Sequence, residues 1–357
     1  MYVKKNNANA KFPYATQETA AATPMDAADR CIDGQEVLLE DDTYALSRSV
    51  SVGRAVIFRS LSGDLDKVIL DTTKNNYRPL YVDHPSARVE SLTCRGARNS
   101  QIEGSDILVK AGVVSNCVFR DSAQASGGYG TSHVTGNGAN VYFTHCIISN
   151  NNSKFTYNAS ANGIWLKNGA KAVNCLICKN VDNVDTSSTA EKSACVRIES
   201  EATIENCTIV GNEAQLTGGV YADGGHVVNC VIAGNTALKK GPGYHDVYPG
   251  FDDAFDHCAV EEVELGGSNV NYHDSMANMF VDAAHGDFLP AGGSCLVDKG
   301  LTPEEPEATD LAGSDRVMGT AIDIGCYERP AAGFAAHVSA DVAEGLLPLT
   351  VTFTATA

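Results

Sequence analysis

The sequence predicts an all-β fold: a right-handed single-stranded parallel β-helix, a solenoid, with a short N-terminal capping helix. Three observations carry this. A seven-residue phrase recurs through the middle of the chain at intervals in the twenties to low thirties. Each interval holds two or three short alternating runs. No long stretch keeps the 3.6-residue period of a helix. The 33 glycines and single tryptophan fit many turns around a core of small aliphatic residues.

The phrase is Asn, Cys, any residue, Ile or Val, two residues, Asn. It stands at Asn174-Cys175-Leu176-Ile177-Cys178-Lys179-Asn180, at Asn206 to Asn212 and at Asn229 to Asn235. Weaker copies begin at Asn116, His145 and His257. Successive cysteines at 117, 146, 175, 207, 230 and 258 are 29, 29, 32, 23 and 28 residues apart, and Leu92 takes the cysteine position of an earlier copy. Cys and Ile two residues apart share one face of a strand, which must be the interior. The flanking Asn suits a bend, since Asn tolerates left-handed backbone, and stacked Asn side chains can bond from coil to coil. Parallel crossovers are almost always right-handed. Leucine-rich repeats would need leucines in phase, and a propeller would need longer repeats.

At the start, Thr23-Pro24-Met25-Asp26 reads as a helix N-terminus, with Thr as N-cap and Pro in the first turn. The helix is expected to run to about Cys31 and lid the solenoid's open end with Met25, Ala28 and Cys31. The solenoid is expected over 36 to about 328.

Forty-four acidic against 26 basic residues set a net charge of −18, which argues against nucleic acid and anionic lipid as partners. No apolar run approaches the roughly 18–20 residues of a membrane span. No apolar segment follows Lys4-Lys5 as in a signal peptide. Most of the twelve cysteines fall at inward positions and are expected as structural thiols. Cys175 and Cys178 face opposite ways on a strand, so no zinc site is expected there. Cys295 and Cys326 could pair.

The segments Phe280-Val281-Asp282-Ala283, Gly293-Ser294-Cys295-Leu296-Val297-Asp298-Lys299-Gly300, Thr309-Asp310-Leu311-Ala312-Gly313-Ser314-Asp315-Arg316 and Ile322-Asp323-Ile324-Gly325-Cys326-Tyr327-Glu328 close the repeats. With the opening residues and the Asn-Cys phrases, they resemble bacterial right-handed parallel β-helix surface proteins of the choice-of-anchor type, over roughly residues 1–329. Residues 332–357, with Leu347-Pro348-Leu349-Thr350-Val351-Thr352-Phe353, resemble the first two strands of a PKD-type immunoglobulin-like module. About 80–100 residues make such a sandwich, so this stretch is expected to be a stub. The resemblance implies a secreted or cell-surface protein whose signal peptide and anchor lie outside this chain.

Aligning coils on the Asn-Cys phrase gives inward pairs Ile107/Val109, Ile164/Leu166, Val196/Ile198 and Val220/Ala222. The outward row is Leu108, Trp165, Arg197, Tyr221 beside Lys110, Lys167, Glu199, Asp223, with the Cys146 coil breaking the row and offering Tyr142. An exposed sheet face carrying Trp165, Lys167, Arg197, Glu199, Tyr221 and Asp223 could hold a glycan by stacking and hydrogen bonding. The favoured reading is a monomeric, non-enzymatic stalk, adhesion or glycan-binding module, with glycan or cell-envelope polysaccharide as partner. The alternative is a polysaccharide lyase or glycoside hydrolase. Its acids would come from Glu199, Glu201 and Glu205 or from Asp252, Asp253 and Asp256, although no catalytic residue stands out by motif. Asp310, Arg316 and Asp323 read as a structural ion-pair cap. No cofactor or metal site is indicated; Ca²⁺ is compatible with the fold but no specific motif supports it.

Overall fold

The structure is a computed structural model. It describes all residues except 99–102, 125–131, 154–160, 183–192, 239–243, 262–264, 272–275, 331–336, 341–352 and 357. The expected all-β parallel β-helix is the fold found. A 15-stranded sheet, a ten-stranded sheet and a four-stranded sheet run along the solenoid with consecutive rungs in parallel register. One coil shows the plan: Ala161–Lys167 and Lys171–Val173 lie in the first sheet, Leu176–Cys178 in the second, Val181–Asp182 in the third.

The repeated phrase builds two corners. Its first residue turns the chain with left-handed backbone at Asn116, His145, Asn174, Asn206, Asn229 and His257, φ between 50° and 53° in every case. Asn bears this conformation more cheaply than branched residues. The following Cys117, Cys146, Cys175, Cys207, Cys230 and Cys258 point inward and are fully buried, with Leu92 heading the column as expected. Each thiol donates to the carbonyl two residues back, as Cys175 Sγ does to Val173 O at 3.2 Å and Cys207 Sγ to Glu205 O at 3.1 Å. Cys therefore fits the corner as a small apolar group with a weak donor. Burial pushes the Cys117 thiol up to about 12, so it stays protonated.

The second corner carries a side-chain ladder. Asn151, Asn180 and Asn212 are buried, and each Nδ2 donates to the Oδ1 of the next rung: Asn151 to Asn180, Asn180 to Asn212, and Asn212 to Asn235, all at 3.0 Å. Asn235 ends the run on Asp246 Oδ1 at 2.9 Å. The second hydrogen of each amide goes to a backbone carbonyl, as Asn180 Nδ2 to Ile148 O at 2.9 Å. The same Oδ1 accepts the backbone N–H of the previous rung, as Asn180 Oδ1 from Asn151 N at 3.2 Å.

At the N-terminal end, helix Pro24–Arg30 forms with Thr23 Oγ1 accepting from Asp26 N at 3.1 Å. Met25, Ala28 and Cys31 are buried against the first rungs, so the helix lids the core as expected.

The solenoid ends earlier than expected. Its last described rung is Val270–Asn271, and the following residues fold back along the outside. Phe280–Asp282 and Asp287–Pro290 pair antiparallel. Met279, Phe280, Phe288, Leu296, Ile324 and Cys326 cover the outward face of the second sheet at Leu176, Cys178, Val210, Val231 and Ala233. Those outward positions are apolar, so the face needs a cover rather than water. The cover is tied internally by buried Arg316, which pairs with Glu328 at 2.8 Å and donates to Gly325 O at 2.8 Å. Asp310 accepts from Ala312 N, Ser314 N and Glu328 N. The expected structural knot is present, with Glu328 rather than Asp310 or Asp323 as the charge partner of Arg316. Cys326 is a buried free thiol. Beyond the cover, His337–Ala340 and Phe353–Thr356 pair antiparallel, while Leu349 and Val351 lie outside the described residues.

The ladder makes a direct prediction. Asn180→Ala strips Asn151 N and Nδ2 of their acceptor and leaves Ile148 O without its side-chain donor. Leaving such buried groups unpaired costs about 1–3 kcal/mol each, so urea unfolding should show a loss of about 3 kcal/mol. A loss below about 1 kcal/mol contradicts the role given to the ladder.

Candidate functional site

The outward row from the sequence forms but does not lie open. Register places Thr135, Trp165, Arg197 and Tyr221 on consecutive rungs, with Leu108 before them. Thr135, not Tyr142, fills the Cys146 coil; Tyr142 belongs to strand Val141–Thr144 of the same sheet, on a different row. Trp165 is 6% exposed, Arg197 4% and Tyr221 5%, so the expectation of an exposed aromatic face is corrected. The physical reason is that rungs sit about 4.8 Å apart, and long side chains on successive rungs lie on one another. Lys167 Nζ is 4.2 Å and the Arg197 guanidinium 4.7 Å from the Trp165 ring centroid, while Trp165 Nε1 donates to Glu199 Oε2 at 3.1 Å. Arg197 Nε donates to Glu199 at 2.6 Å and its guanidinium also approaches the Tyr221 ring, 5.5 Å from the centroid. Tyr221 then meets Tyr248 at 4.8 Å and Phe251 at 5.5 Å. The π-faces needed for a sugar are used within the protein. Asp223 stands in register with Glu199 beside the row.

The expected acids separate. Glu199 belongs to the row above, and Glu201 is exposed at a turn. Asp252 and Asp253 are exposed on the 3-10 turn Asp252–Ala254, at the rim of a shallow cleft of about 550 Å³ that also takes in His226, Asp256 and Ser268. The Ser268 hydroxyl, then His257, hold the Asp256 carboxyl below the ordinary carboxylate range, so it is an engaged structural acceptor.

Glu205 is different. Strands Val141–Thr144, Lys171–Val173, Thr203–Glu205, His226–Val228 and Phe255–Asp256 pair in order. Phe143, Ala172, Ile204, Val227 and Phe255 point into the core. Tyr142, Lys171, Thr203 and His226 therefore make one outward row, and Thr144, Val173, Glu205, Val228 and Asp256 the next. The returning cover crosses these rows. Its carbonyl Thr309 O accepts from Asn174 Nδ2 at 3.1 Å and pairs with His145 Nε2 at 2.9 Å, and Leu301 exchanges two hydrogen bonds with Asn229 at 2.7 and 2.9 Å. The corner residues of the repeat thus clasp the cover, and between cover and sheet lies a cleft of about 390 Å³ lined by Tyr142, Lys171, Glu205, Asn206, Glu305 and Glu307.

Within it the Tyr142 hydroxyl donates to Glu307 Oε1. Burial, and then Glu307 beside it, push the Tyr142 phenol up, so it remains a donor. Burial, then the neighbouring Cys230, raise Glu205 above the ordinary carboxylate range; Lys171 and Arg316 oppose the rise, and Glu307 adds least to it. Asn174 is fully buried and its Oδ1 has no hydrogen-bond partner, while its neighbours Val173, Asn206 and Ala308 line the cleft. Sequence reasoning missed Glu307 and Tyr142 in this role, and reached Glu205 only as one of the acids Glu199, Glu201 and Glu205.

A Ser-His-Asp arrangement also exists inside the solenoid: His133 Nδ1 meets Asp106 Oδ2 and His133 Nε2 meets Ser153 Oγ, both at 2.9 Å. All three residues are fully buried, and the network satisfies the interior Asp106 carboxylate. Among the described residues, no group of three or more His, Cys, Asp or Glu is placed to hold a metal ion, and no helix is long and apolar enough to cross a membrane.

These features are those of a parallel β-helix protein with a cleft on its flank. Among solved structures the chain is similar to pectate lyase Pel9A, with a TM-score of 0.55 and 13% identity over 92% of this chain and 96% of that one. At that identity the likeness is one of fold. No protein-family model matches the chain, and no curated protein sequence does.

The packed row predicts the outcome of Trp165→Ala. Truncating a buried aromatic costs about 3–5 kcal/mol, and denaturant unfolding should show a loss within that range. A change within about ±0.5 kcal/mol restores the exposed-face reading.

Proposed function

We propose that this protein is a carbohydrate-active β-helix that binds a polysaccharide in the cleft between its first sheet and the returning cover. The observation that carries the reading is the convergence of Tyr142, Lys171, Glu205 and Glu307 from three rungs and one distant segment on a single cleft. A solvated sheet face does not need a roof. Here the repeat's own corner residues His145, Asn174 and Asn229 hold one in place. Phenol, amine and carboxyl groups around an open channel suit sugar hydroxyls, which both donate and accept. The fold shared with a solved structure titled pectate lyase supports the same class. The choice-of-anchor and PKD-type resemblances support a secreted or cell-surface setting, where envelope or environmental polysaccharide is at hand. The non-enzymatic glycan-binding reading rested on an open aromatic row. With that row closed, the cleft carries the proposal.

The test is binding to a panel of neutral and uronic-acid polysaccharides by affinity electrophoresis and calorimetry. Lys171→Ala, an exposed position, should weaken the best ligand about tenfold, or about 1.4 kcal/mol, with unchanged thermal stability. Absence of binding to every glycan, or binding indifferent to Lys171, contradicts the proposal.

A further inference from the structure

We propose that Glu205 and Glu307 form the acid and base of a glycoside hydrolase site for neutral polysaccharide, in place of an elimination site for uronates. This rests on the polysaccharide reading of the cleft.

Three observations support it. The first is placement. Glu205 stands on the outward row of the first sheet and Glu307 on the segment that crosses it, and both line one cleft. Glycoside hydrolysis uses a pair of carboxyl groups flanking the bond that breaks.

The second is the difference in their surroundings. Glu205 is half buried and raised above the ordinary carboxylate range, which suits a proton donor. Glu307 accepts a hydrogen bond from the Tyr142 hydroxyl, an environment unlike that of Glu205. Two carboxyl groups in unlike environments divide the roles of acid and base.

The third is charge. The cleft brings Glu205, Glu305 and Glu307 against Lys171, on a chain of net charge −18. A polyuronate would meet repulsion along its length, and β-elimination needs a base for the proton α to a carboxylate that has itself been neutralised by cations. Among the described residues lining the cleft, Lys171 is the only Lys, Arg or His.

The reaction balances without a further reagent. Glu205 gives its proton to the glycosidic oxygen as the bond from that oxygen to the anomeric carbon breaks. Water adds to the anomeric carbon and Glu307 takes the proton from it. The products are a new reducing end and a free hydroxyl, and the net proton returns to Glu205 through solvent.

The experiment uses the whole chain on neutral glucans, mannans and xylans and on polygalacturonate, assaying reducing ends and unsaturated uronide separately. Glycan binding is measured in parallel. The expected result is reducing ends from a neutral polymer with no unsaturated product, and an activity that falls on the alkaline side as Glu205 loses its proton. Glu205→Gln should lower turnover of the polymer about 10²–10⁴-fold, the scale of general acid catalysis, with binding kept within a few-fold. On an aryl glycoside, whose leaving group needs no proton, the Glu205→Gln loss should largely disappear. Glu307→Gln, on the more exposed segment, should lower turnover of both substrates. Binding without reducing ends, or release of unsaturated uronide, overturns this inference and leaves the cleft reading standing. Activity unaffected by either Gln variant also overturns it. Failure to bind any glycan overturns both.

Discussion

The buried asparagine ladder is the constraint on which the rest of the structure depends. A parallel β-helix has no turn chemistry that locks one coil to the next, because each rung is bonded only by backbone and could slip. A slip by one residue would turn every inward side chain out. The Asn151, Asn180, Asn212 and Asn235 amides prevent this by each bonding to a carbonyl of the preceding coil and to the next side chain in the ladder, so one register alone satisfies all their donors. The ladder ends on Asp246, whose carboxylate accepts from Asn235 Nδ2 and N and closes the series without an orphan. Interior thiols at the other corner are consistent with this, since a larger residue at Cys175 or Cys207 would compete with the carbonyl contact and widen the coil.

Register in turn makes the cleft. Tyr142, Lys171 and Glu205 come together only because Tyr142 pairs with Lys171 and Val173 with Glu205. The corner residues that precede each inward thiol have a second task, since His145, Asn174 and Asn229 are the groups that grip the returning cover. One repeated phrase therefore sets the core, the coil spacing and the docking of the roof. The same cover buries apolar outward positions of the second sheet and is itself braced by the Arg316–Glu328 pair, where loss of one partner would strand a buried charge.

What could be read from the residues follows from which rules are local. The inward parity of Leu92, Cys117, Ile164, Leu166, Val196 and Ile198 was legible because the strand period is two, and the Thr23 cap because capping is decided within four residues. The end of the solenoid was not legible, because the apolar outward face at Leu176 and Val210 becomes informative only once a covering segment is known. Trp165 was assigned correctly to the outward side but wrongly to solvent. Exposure depends on what the neighbouring rungs carry, and here Lys167 and Arg197 lie over the ring. Glu307 was beyond reach, since its partner Tyr142 is 165 residues away in the chain.

Native-state hydrogen exchange tests the central claim most directly. The backbone amides of Ser122, Asn151, Asn180 and Asn212 each donate to the Oδ1 of the following rung, at 3.0 to 3.2 Å. If the ladder fixes the register, these amides exchange only through global unfolding, and their opening free energies fall with denaturant along one common slope. Exchange through local opening, with rates indifferent to denaturant and unlike those of the neighbouring core strands, would show that the coils hold their register without it.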